Sequence, residues 1–172
     1  MSHRLFVALD LPPDVRAVLP PPPDPWRALA PGALHLTLAF LGSQPDVGPV
    51  LAALPDEPPP AGELRTVRLR ALPPRRPRVL AVEFEDVDGA CTALQATVAT
   101  ALAGAGLYEP EHRRWLPHVT VGRARGPVDR RAPLPDVAPL AFRPPTLTLY
   151  ESLLGRGPAR YEAIRCWRLP QG

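Results

Sequence analysis

Two histidine–threonine pairs are the residues of this sequence best suited to chemistry. His35 and Thr37 form one pair, and His118 and Thr120 form the other; in each, a single aliphatic residue separates the two. An imidazole can accept or donate a proton near neutral pH, and a hydroxyl can donate a hydrogen bond to a charged oxygen. Two such pairs would place proton-transfer groups on opposite sides of one ligand.

Regular alternation of polar and apolar residues surrounds each pair. In the segments 34–41 and 117–124, Leu or Val follows both the histidine and the threonine. Such alternation predicts a half-buried β-strand, in which residues two apart point to the same side of the sheet. We therefore expect each histidine to share a strand face with its threonine, and the aliphatic residues to face the core.

The composition is that of one soluble globular domain that tolerates an anionic partner. The chain has 172 residues, of which 45% are hydrophobic, and its formal net charge is +3. All 20 basic residues are arginine, and 27 residues are proline, as genomic base composition alone would produce. Arginine nevertheless binds phosphate with a planar fork of donors that lysine lacks.

Nothing in the sequence predicts secretion or membrane insertion. The first ten residues lack the apolar core and cleavage site of a signal peptide, and no apolar run approaches the ~18 residues needed to span a bilayer. Cys91 and Cys166 have no metal-binding spacing and are expected to be reduced core residues. We expect a cytoplasmic monomer.

The rest of the chain predicts alternating strands and helices. Besides the two motif strands, strands are expected at 4–10, 63–72, 78–84, 146–153 and 161–169, helices at 12–19, 46–54 and 87–104, and loops at 20–25, 55–62 and 126–145. Gly42 is expected to end the first motif strand, and Gly104 and Gly106 to end the longest helix.

The order strand, helix, motif strand occurs twice, starting at Arg4 and at Arg78. The two motif histidines are separated by nearly half the chain. We predict an α+β fold in which one domain, 1–172, consists of two intertwined, pseudo-symmetric lobes. Antiparallel-rich sheets are expected to line a central cleft, with the helices on the outside.

These motifs resemble those of the 2H phosphoesterase family, which is named for two His-x-Thr-x signatures. Within that family the chain is most similar to the RNA 2′,3′-cyclic phosphodiesterases, also called 2′-5′ RNA ligases. The similarity covers nearly the whole chain. It includes the segments 4–12, 35–42, 117–123 and 149–153 and the strand that begins at Arg78. The chain departs from the family in a shortened segment at 20–23, where four prolines alter the expected rim of the cleft.

The resemblance implies hydrolysis of RNA 2′,3′-cyclic phosphate ends to 2′-phosphomonoesters, without a metal or another cofactor. His35 and His118 would be the catalytic acid and base, and Thr37 and Thr120 would bind the phosphate oxygens. Arg123 resembles the family's phosphate-binding arginine, five residues after the second motif histidine. In the equivalent place after His35 the chain has Phe40.

Strict alternation conflicts with this role of Arg123, because a residue five positions after the histidine points to the opposite face. A bulge or sharp twist near Gly122, or an early end of the strand, is needed to turn Arg123 into the cleft. The same conflict leaves two interpretations of Phe40, as a core aromatic residue or as a platform for a nucleobase. Arg125 is expected at the solvated rim.

Several alternatives remain open on these residues alone. We assign His118 to activate water and His35 to protonate the leaving oxygen, but the symmetry of the motifs allows the reverse. The same site would serve reversible 2′-5′ ligation, and a non-catalytic RNA-binding module would have the same fold. A zinc site built from the four histidines, including His3 and His112, and the two cysteines is the metal-dependent alternative. Three arginine pairs are either solvated or guide RNA: 75–76, 113–114 and 130–131.

Overall fold

The computed structural model describes residues 1–172, which form nine strands, three α-helices and a short 3₁₀ helix. The strands are β1 His3–Leu9, β2 Trp26–Ala28, β3 Leu36–Gln44, β4 Leu64–Leu72, β5 Val79–Asp86, β6 His118–Ala124, β7 Ala141–Phe142, β8 Thr146–Leu153 and β9 Arg160–Arg168. The helices are α1 Pro13–Val18, α2 Gly48–Ala53 and α3 Ala90–Gly104, and the 3₁₀ helix is Pro31–Ala33.

Two antiparallel sheets form the framework of the molecule. The four-stranded sheet has the order β3-β1-β8-β9, and the five-stranded sheet has the order β2-β6-β5-β4-β7. The predicted repeat is present, since β1 pairs with β3 across α1 and β5 pairs with β6 across α3. The α+β class with antiparallel sheets is thus confirmed.

The motif strands bury the faces that the alternation predicts. Leu36, Leu38, Val119 and Val121 are all at most 3% exposed, whereas the histidine and threonine of each motif are half-buried. Core residues of both sheets belong to a single hydrophobic cluster. Burying a Leu or Val side chain contributes roughly 1.5–3 kcal/mol, so this cluster fixes which face of each motif strand is left open.

The two ends of the longest helix, α3, are stabilised by an aspartate at its start and a glycine after its end. The carboxylate of Asp86 accepts hydrogen bonds from the backbone N–H groups of Cys91 and Thr92, two donors that have no partner inside the helix. At the other end, Gly106 adopts a positive φ of 71°, and the N–H of Leu107 donates to the carbonyl of Leu102. The predicted helix stop is confirmed.

Some predicted boundaries are wrong, each for a physical reason. Strand β2 lies in a segment for which no strand is predicted, and β7 lies in the predicted loop 126–145, because two or three residues are too few to show alternation. The first motif strand begins at Leu36 and runs past Gly42 to Gln44, because the positive φ of Gly42, 68°, lets the strand continue through an irregularity.

Cys91 is buried as expected, but Cys166 is exposed on the outer strand β9. No helix is both long and apolar enough to cross a membrane.

Candidate active site

The two motif histidines border one cleft, although they come from different sheets. His35 immediately precedes β3 in the four-stranded sheet, and His118 begins β6 in the five-stranded sheet. The cleft has a volume of about 430 Å³. Its lining includes all six residues proposed from the sequence, His35, Thr37, Phe40, His118, Thr120 and Arg123, together with Arg4, Phe6, Leu29, Ala33, Ser152, Leu154, Ala159 and Tyr161.

Each imidazole is held by the backbone in the same way. Nδ1 of His35 lies 2.9 Å from the carbonyl oxygen of Ala33, and Nδ1 of His118 lies 2.8 Å from that of Leu116. A carbonyl oxygen can only accept, so Nδ1 carries the proton in each ring. The other nitrogen, Nε2, is therefore the one that can accept or donate a proton on a substrate.

A β-bulge in each motif strand turns the residue five positions after the histidine into the cleft. In β6, Thr120 pairs with Ala81 but Gly122 pairs with Leu80, which leaves Val121 as an extra residue. As a result, Val121 and Gly122 are both buried, and Arg123 lines the cleft with His118 and Thr120 instead of facing the core. The bulge that Arg123 required is present at the predicted place.

The bulge in β3 has the same position relative to its histidine. Thr37 pairs with Ala8 and Ala39 pairs with Val7, so Leu38 is the extra residue. Phe40 consequently faces the cleft and is 47% exposed, which makes the core interpretation of this residue wrong. The guanidinium of Arg4 lies over the Phe40 ring, 4.8 Å from its centroid.

Close packing requires glycine at position 122, in the second bulge. A Cβ atom added to Gly122 would lie 2.9 Å from Cβ of Pro22 and 3.2 Å from Cβ of Trp26. The proline-rich segment that departs from the family pattern therefore packs against the backbone beside Arg123. Any larger residue at position 122 would displace this segment or the bulge that aims Arg123.

Aromatic rings enclose the His35 imidazole. Phe6 stacks on it with ring centroids 4.8 Å apart, and Tyr161 contacts it edge-on at 5.2 Å. Burial lowers the pKa of His35 from about 6.5 to about 4; the charges of His118 and Arg123 add to this effect, and the Ala33 carbonyl and Asp10 oppose it. The imidazole of His35 is therefore neutral near pH 7.

A carboxylate behind these rings holds the wall of the cleft in place. Oδ2 of Asp10 accepts hydrogen bonds from the hydroxyls of Thr146, at 2.5 Å, and Thr148, at 2.6 Å, and Oδ1 accepts one from Tyr150 at 2.5 Å. Burial, and after it the hydrogen bond to Asp10, raise the pKa of Tyr150, so its hydroxyl stays protonated and donates. The Tyr150 ring stacks in turn on Phe6, 5.3 Å away.

Replacing Asp10 with alanine is expected to destabilise the protein by about 3 kcal/mol, because it leaves three hydroxyl donors without their charged acceptor. Urea denaturation measures the change. The matched control is Asp136→Ala, which removes an exposed carboxylate that makes no hydrogen bond and should cost less than about 0.5 kcal/mol. Equal denaturation midpoints for the two variants would contradict a structural role of Asp10.

Side chains from the second half of the chain support the bulge in β3. This strand lies at the edge of its sheet, so some of its carbonyl groups have no strand partner. Nε1 of Trp115 donates to the carbonyl of Thr37 at 3.4 Å, and Nε2 of Gln95 donates to that of Leu38 at 3.2 Å. Sequence reasoning missed both residues, because their partners are backbone atoms distant in sequence.

The cleft suits an anion. Two arginines, Arg4 and Arg123, line it, and no Asp or Glu does.

The other polar residues considered from the sequence lie elsewhere: His112 is exposed, and His3 is half-buried with its Nδ1 2.9 Å from Glu151. No three His, Cys, Asp or Glu side chains are grouped so that they could hold a metal ion.

Comparisons with known proteins agree with this arrangement. A profile of the 2′-5′ RNA ligase superfamily matches residues 22–156. The crystal structure of E. coli LigT complexed with 3′-AMP is 27% identical, with 99% of this chain and 100% of that chain covered and a TM-score of 0.81. A crystallised phosphoesterase has 27% identity, the same coverage and a TM-score of 0.80. TT0787 of Thermus thermophilus has 26% identity, 96% and 97% coverage and a TM-score of 0.72. A comparison with curated protein sequences gave no match.

The profile match spans more than three quarters of the chain and includes both histidine motifs. The fold match extends over nearly all of it, with the same two antiparallel sheets and outer helices. The chain therefore belongs to the 2′-5′ RNA ligase superfamily of 2H phosphoesterases, enzymes whose activity concerns the phosphoesters of RNA.

Proposed function

We propose that the cleft hydrolyses RNA 2′,3′-cyclic phosphate ends to 2′-phosphomonoesters by metal-independent catalysis between two histidines. One observation carries this proposal. Two imidazoles from different sheets, each with Nδ1 bonded to a carbonyl, border a single cleft that contains arginine and no carboxylate.

The burial of His35 favours the assignment in which His35 is the base and His118 is the acid. An imidazole with a pKa of about 4 is neutral in the free protein, and its Nε2 is available to accept a proton. We therefore propose that His35 takes the proton of the attacking water and that His118 gives a proton to the leaving 3′ oxygen. This order is the reverse of the one that the sequence first suggested.

In the proposed step one bond to phosphorus forms, one breaks, and each imidazole moves one proton. The oxygen of water forms a bond to phosphorus while its proton moves to Nε2 of His35. The bond between phosphorus and the 3′ oxygen breaks, and that oxygen takes the proton from Nε2 of His118. The products are a 2′-phosphomonoester and a free 3′ hydroxyl. Proton exchange with solvent then returns both imidazoles to their starting forms.

The remaining polar groups of the cleft would stabilise the charge that builds up on phosphorus. The hydroxyls of Thr37 and Thr120 would donate to the non-bridging oxygens, one from each strand. The guanidinium of Arg123 would bind the same oxygens, because its planar fork matches phosphate geometry. Hydrogen bonds aimed at developing charge stabilise the transition state more than the ground state.

Phe40 would provide a surface for the base of the terminal nucleotide. Its ring borders the cleft on the side of the first motif strand, and nucleobases stack on exposed aromatic rings in many RNA-binding proteins. E. coli LigT crystallises in complexes with 3′-AMP and with ATP, so a protein of the same fold binds nucleotides. Phe40 is the aromatic residue of this chain that we place against such a base.

The proton assignment predicts an unusual pH dependence. Because kcat/KM reports ionisations of the free enzyme, its acid limb should lie near pH 4, where His35 gains a proton, and not near 6.5. At pH 5 we expect roughly 90% of the plateau value from this limb, whereas an unperturbed histidine base would leave only about 3%. A pH–rate profile between pH 3.5 and 8 measures the limb; a loss of kcat/KM on acidification that is centred near pH 6.5, and not near pH 4, would contradict the assignment.

Product mapping tests the proposed reaction itself. An oligonucleotide with a 2′,3′-cyclic phosphate is incubated with the protein in EDTA, and the position of the product phosphate is determined. We expect a 2′-phosphate at the same rate with and without EDTA. A 3′-phosphate would refute the bond assignment, loss of turnover in EDTA would support the zinc alternative, and binding without turnover would support a non-catalytic module.

Ligation is the second candidate function, and the profile match favours it. If an RNA hydroxyl replaces water, the same two imidazoles could join the strands, and the reaction would be reversible. Adding an oligonucleotide with a 5′ hydroxyl to the incubation should then give a longer product with a 2′-5′ linkage.

A further inference from the structure

A second concave surface lies beside the catalytic cleft and is strongly basic. This arginine groove has a volume of about 650 Å³ and contains five arginine side chains: Arg75, Arg76, Arg78, Arg125 and Arg130. Only one carboxylate, that of Asp129, is part of its lining, and Oδ1 of Asp129 already accepts a hydrogen bond from the backbone N–H of Arg131. No aromatic residue lines the groove.

The five arginines are not neutralised within the protein. None of them forms an ion pair, whereas other arginines on the surface do: Arg68 and Arg70 share Glu83, and Arg113 pairs with Glu111. The arginine pairs seen in the sequence therefore differ in whether a carboxylate neutralises them. Residues 75–76 and Arg130 converge on the groove, but Arg113 has its own carboxylate. Several like charges on one concave surface raise the local concentration of anions.

The groove is connected to the catalytic cleft through consecutive residues of β6 and the segment after it. Arg123 lines the cleft, and the next two residues, Ala124 and Arg125, line the groove. On the neighbouring chain segment, the carbonyl of Arg78 accepts a hydrogen bond from the N–H of Ala124 at 2.9 Å. From Thr120 to Arg125 the strand advances about 15 Å, so a chain held at its end by the histidines can reach the groove within a few nucleotides.

We propose that the arginine groove binds the phosphates of the nucleotides that precede the cyclic phosphate end, which makes an RNA chain, and not a mononucleotide, the preferred substrate. This inference rests on the proposed function. Arginine forks bind phosphate oxygens in pairs, and a lining with no aromatic ring has no platform for bases. Binding along the groove is therefore independent of base sequence and weakens with salt.

Kinetics on two substrates test the proposal. The groove variant is Arg76→Gln/Arg125→Gln, and the control is Arg143→Gln/Arg168→Gln, which removes the same charge from two exposed arginines without ion pairs outside the groove. The substrates are a 2′,3′-cyclic mononucleotide and an oligonucleotide of about ten nucleotides with the same end. We expect the ratio of oligonucleotide KM to mononucleotide KM to rise at least tenfold in the groove variant only. An equal ratio in wild type and groove variant would overturn the proposal.

A direct binding measurement keeps the groove testable even if the proposed reaction is wrong. Fluorescence anisotropy gives Kd for a labelled oligonucleotide that already ends in a 2′-phosphate, at several salt concentrations. For the groove variant, the slope of log Kd against log salt should fall by about 1.4, or 0.7 for each lost phosphate contact with a single strand. Equal weakening in both double variants would assign binding to net charge alone and refute the groove. Failure of the proposed function would show instead as normal binding of this ligand by the wild type together with no hydrolysis of the cyclic-phosphate oligonucleotide in the kinetic assay.

Discussion

Replacing either His35 or His118 with alanine is expected to lower kcat by about 10²–10⁴-fold, the contribution of one acid–base group. In the proposed mechanism both imidazoles act in the same step: one removes a proton from the attacking water while the other protonates the leaving oxygen. The kcat of the double variant should therefore be only slightly lower than that of the less active single variant. Initial rates on a cyclic-phosphate oligonucleotide measure all three.

Two controls separate catalysis from folding. His112→Ala removes an exposed imidazole outside the cleft and should keep wild-type kcat. His35 packs against Phe6 and Tyr161, so alanine there also creates a cavity; His35→Gln fills much of that space without an imidazole. Thermal unfolding shows whether each variant is folded. A folded variant of either histidine with full activity would refute the two-histidine mechanism.

Changing Arg123 to glutamine is expected to have the next largest effect, a loss of about 10²-fold in kcat. The loss should fall on kcat more than on KM, since charge on the phosphate oxygens increases as the transition state forms. Arg123→Lys keeps the positive charge but not the planar fork, and we expect a smaller loss. Steady-state kinetics of both variants give the comparison.

The matched control for Arg123 is Arg168→Gln, at the far end of the outer strand β9, which should leave both constants within about twofold of wild type. A rise in KM alone for Arg123→Gln would indicate that this arginine binds substrate and transition state equally. That outcome would contradict its proposed role on the developing charge.

Much of the site follows from local sequence pattern. Alternation around His118 and Thr120 fixes which side chains enter the core, and the structure has Val119 and Val121 buried as predicted. The same rule showed that Arg123 needs a break in the alternation, and the bulge at Val121 supplies it. A residue whose chemistry conflicts with its strand position can thus locate a bulge from sequence alone.

The features that sequence could not supply depend on contacts between distant segments. No local pattern marks Leu38 as a bulge, so the orientation of Phe40 follows only from the register of β3 against β1. The low pKa of His35 results from burial among rings of three other strands, among them Phe6 and Tyr161. Asp10 belongs to a segment shared with the family, but its three hydroxyl partners are over 130 residues away.

The central claim is that two imidazoles act on one phosphate, and ¹⁵N nuclear magnetic resonance of the histidine side chains tests it most directly. The labelled protein is titrated with a nucleoside 2′-monophosphate, the minimal form of the proposed product. We predict that the Nε2 resonances of His35 and His118 shift together, saturate at the same ligand concentration, and leave His112 unchanged. A shift of only one of the two, or two shifts that saturate at different concentrations, would contradict the account.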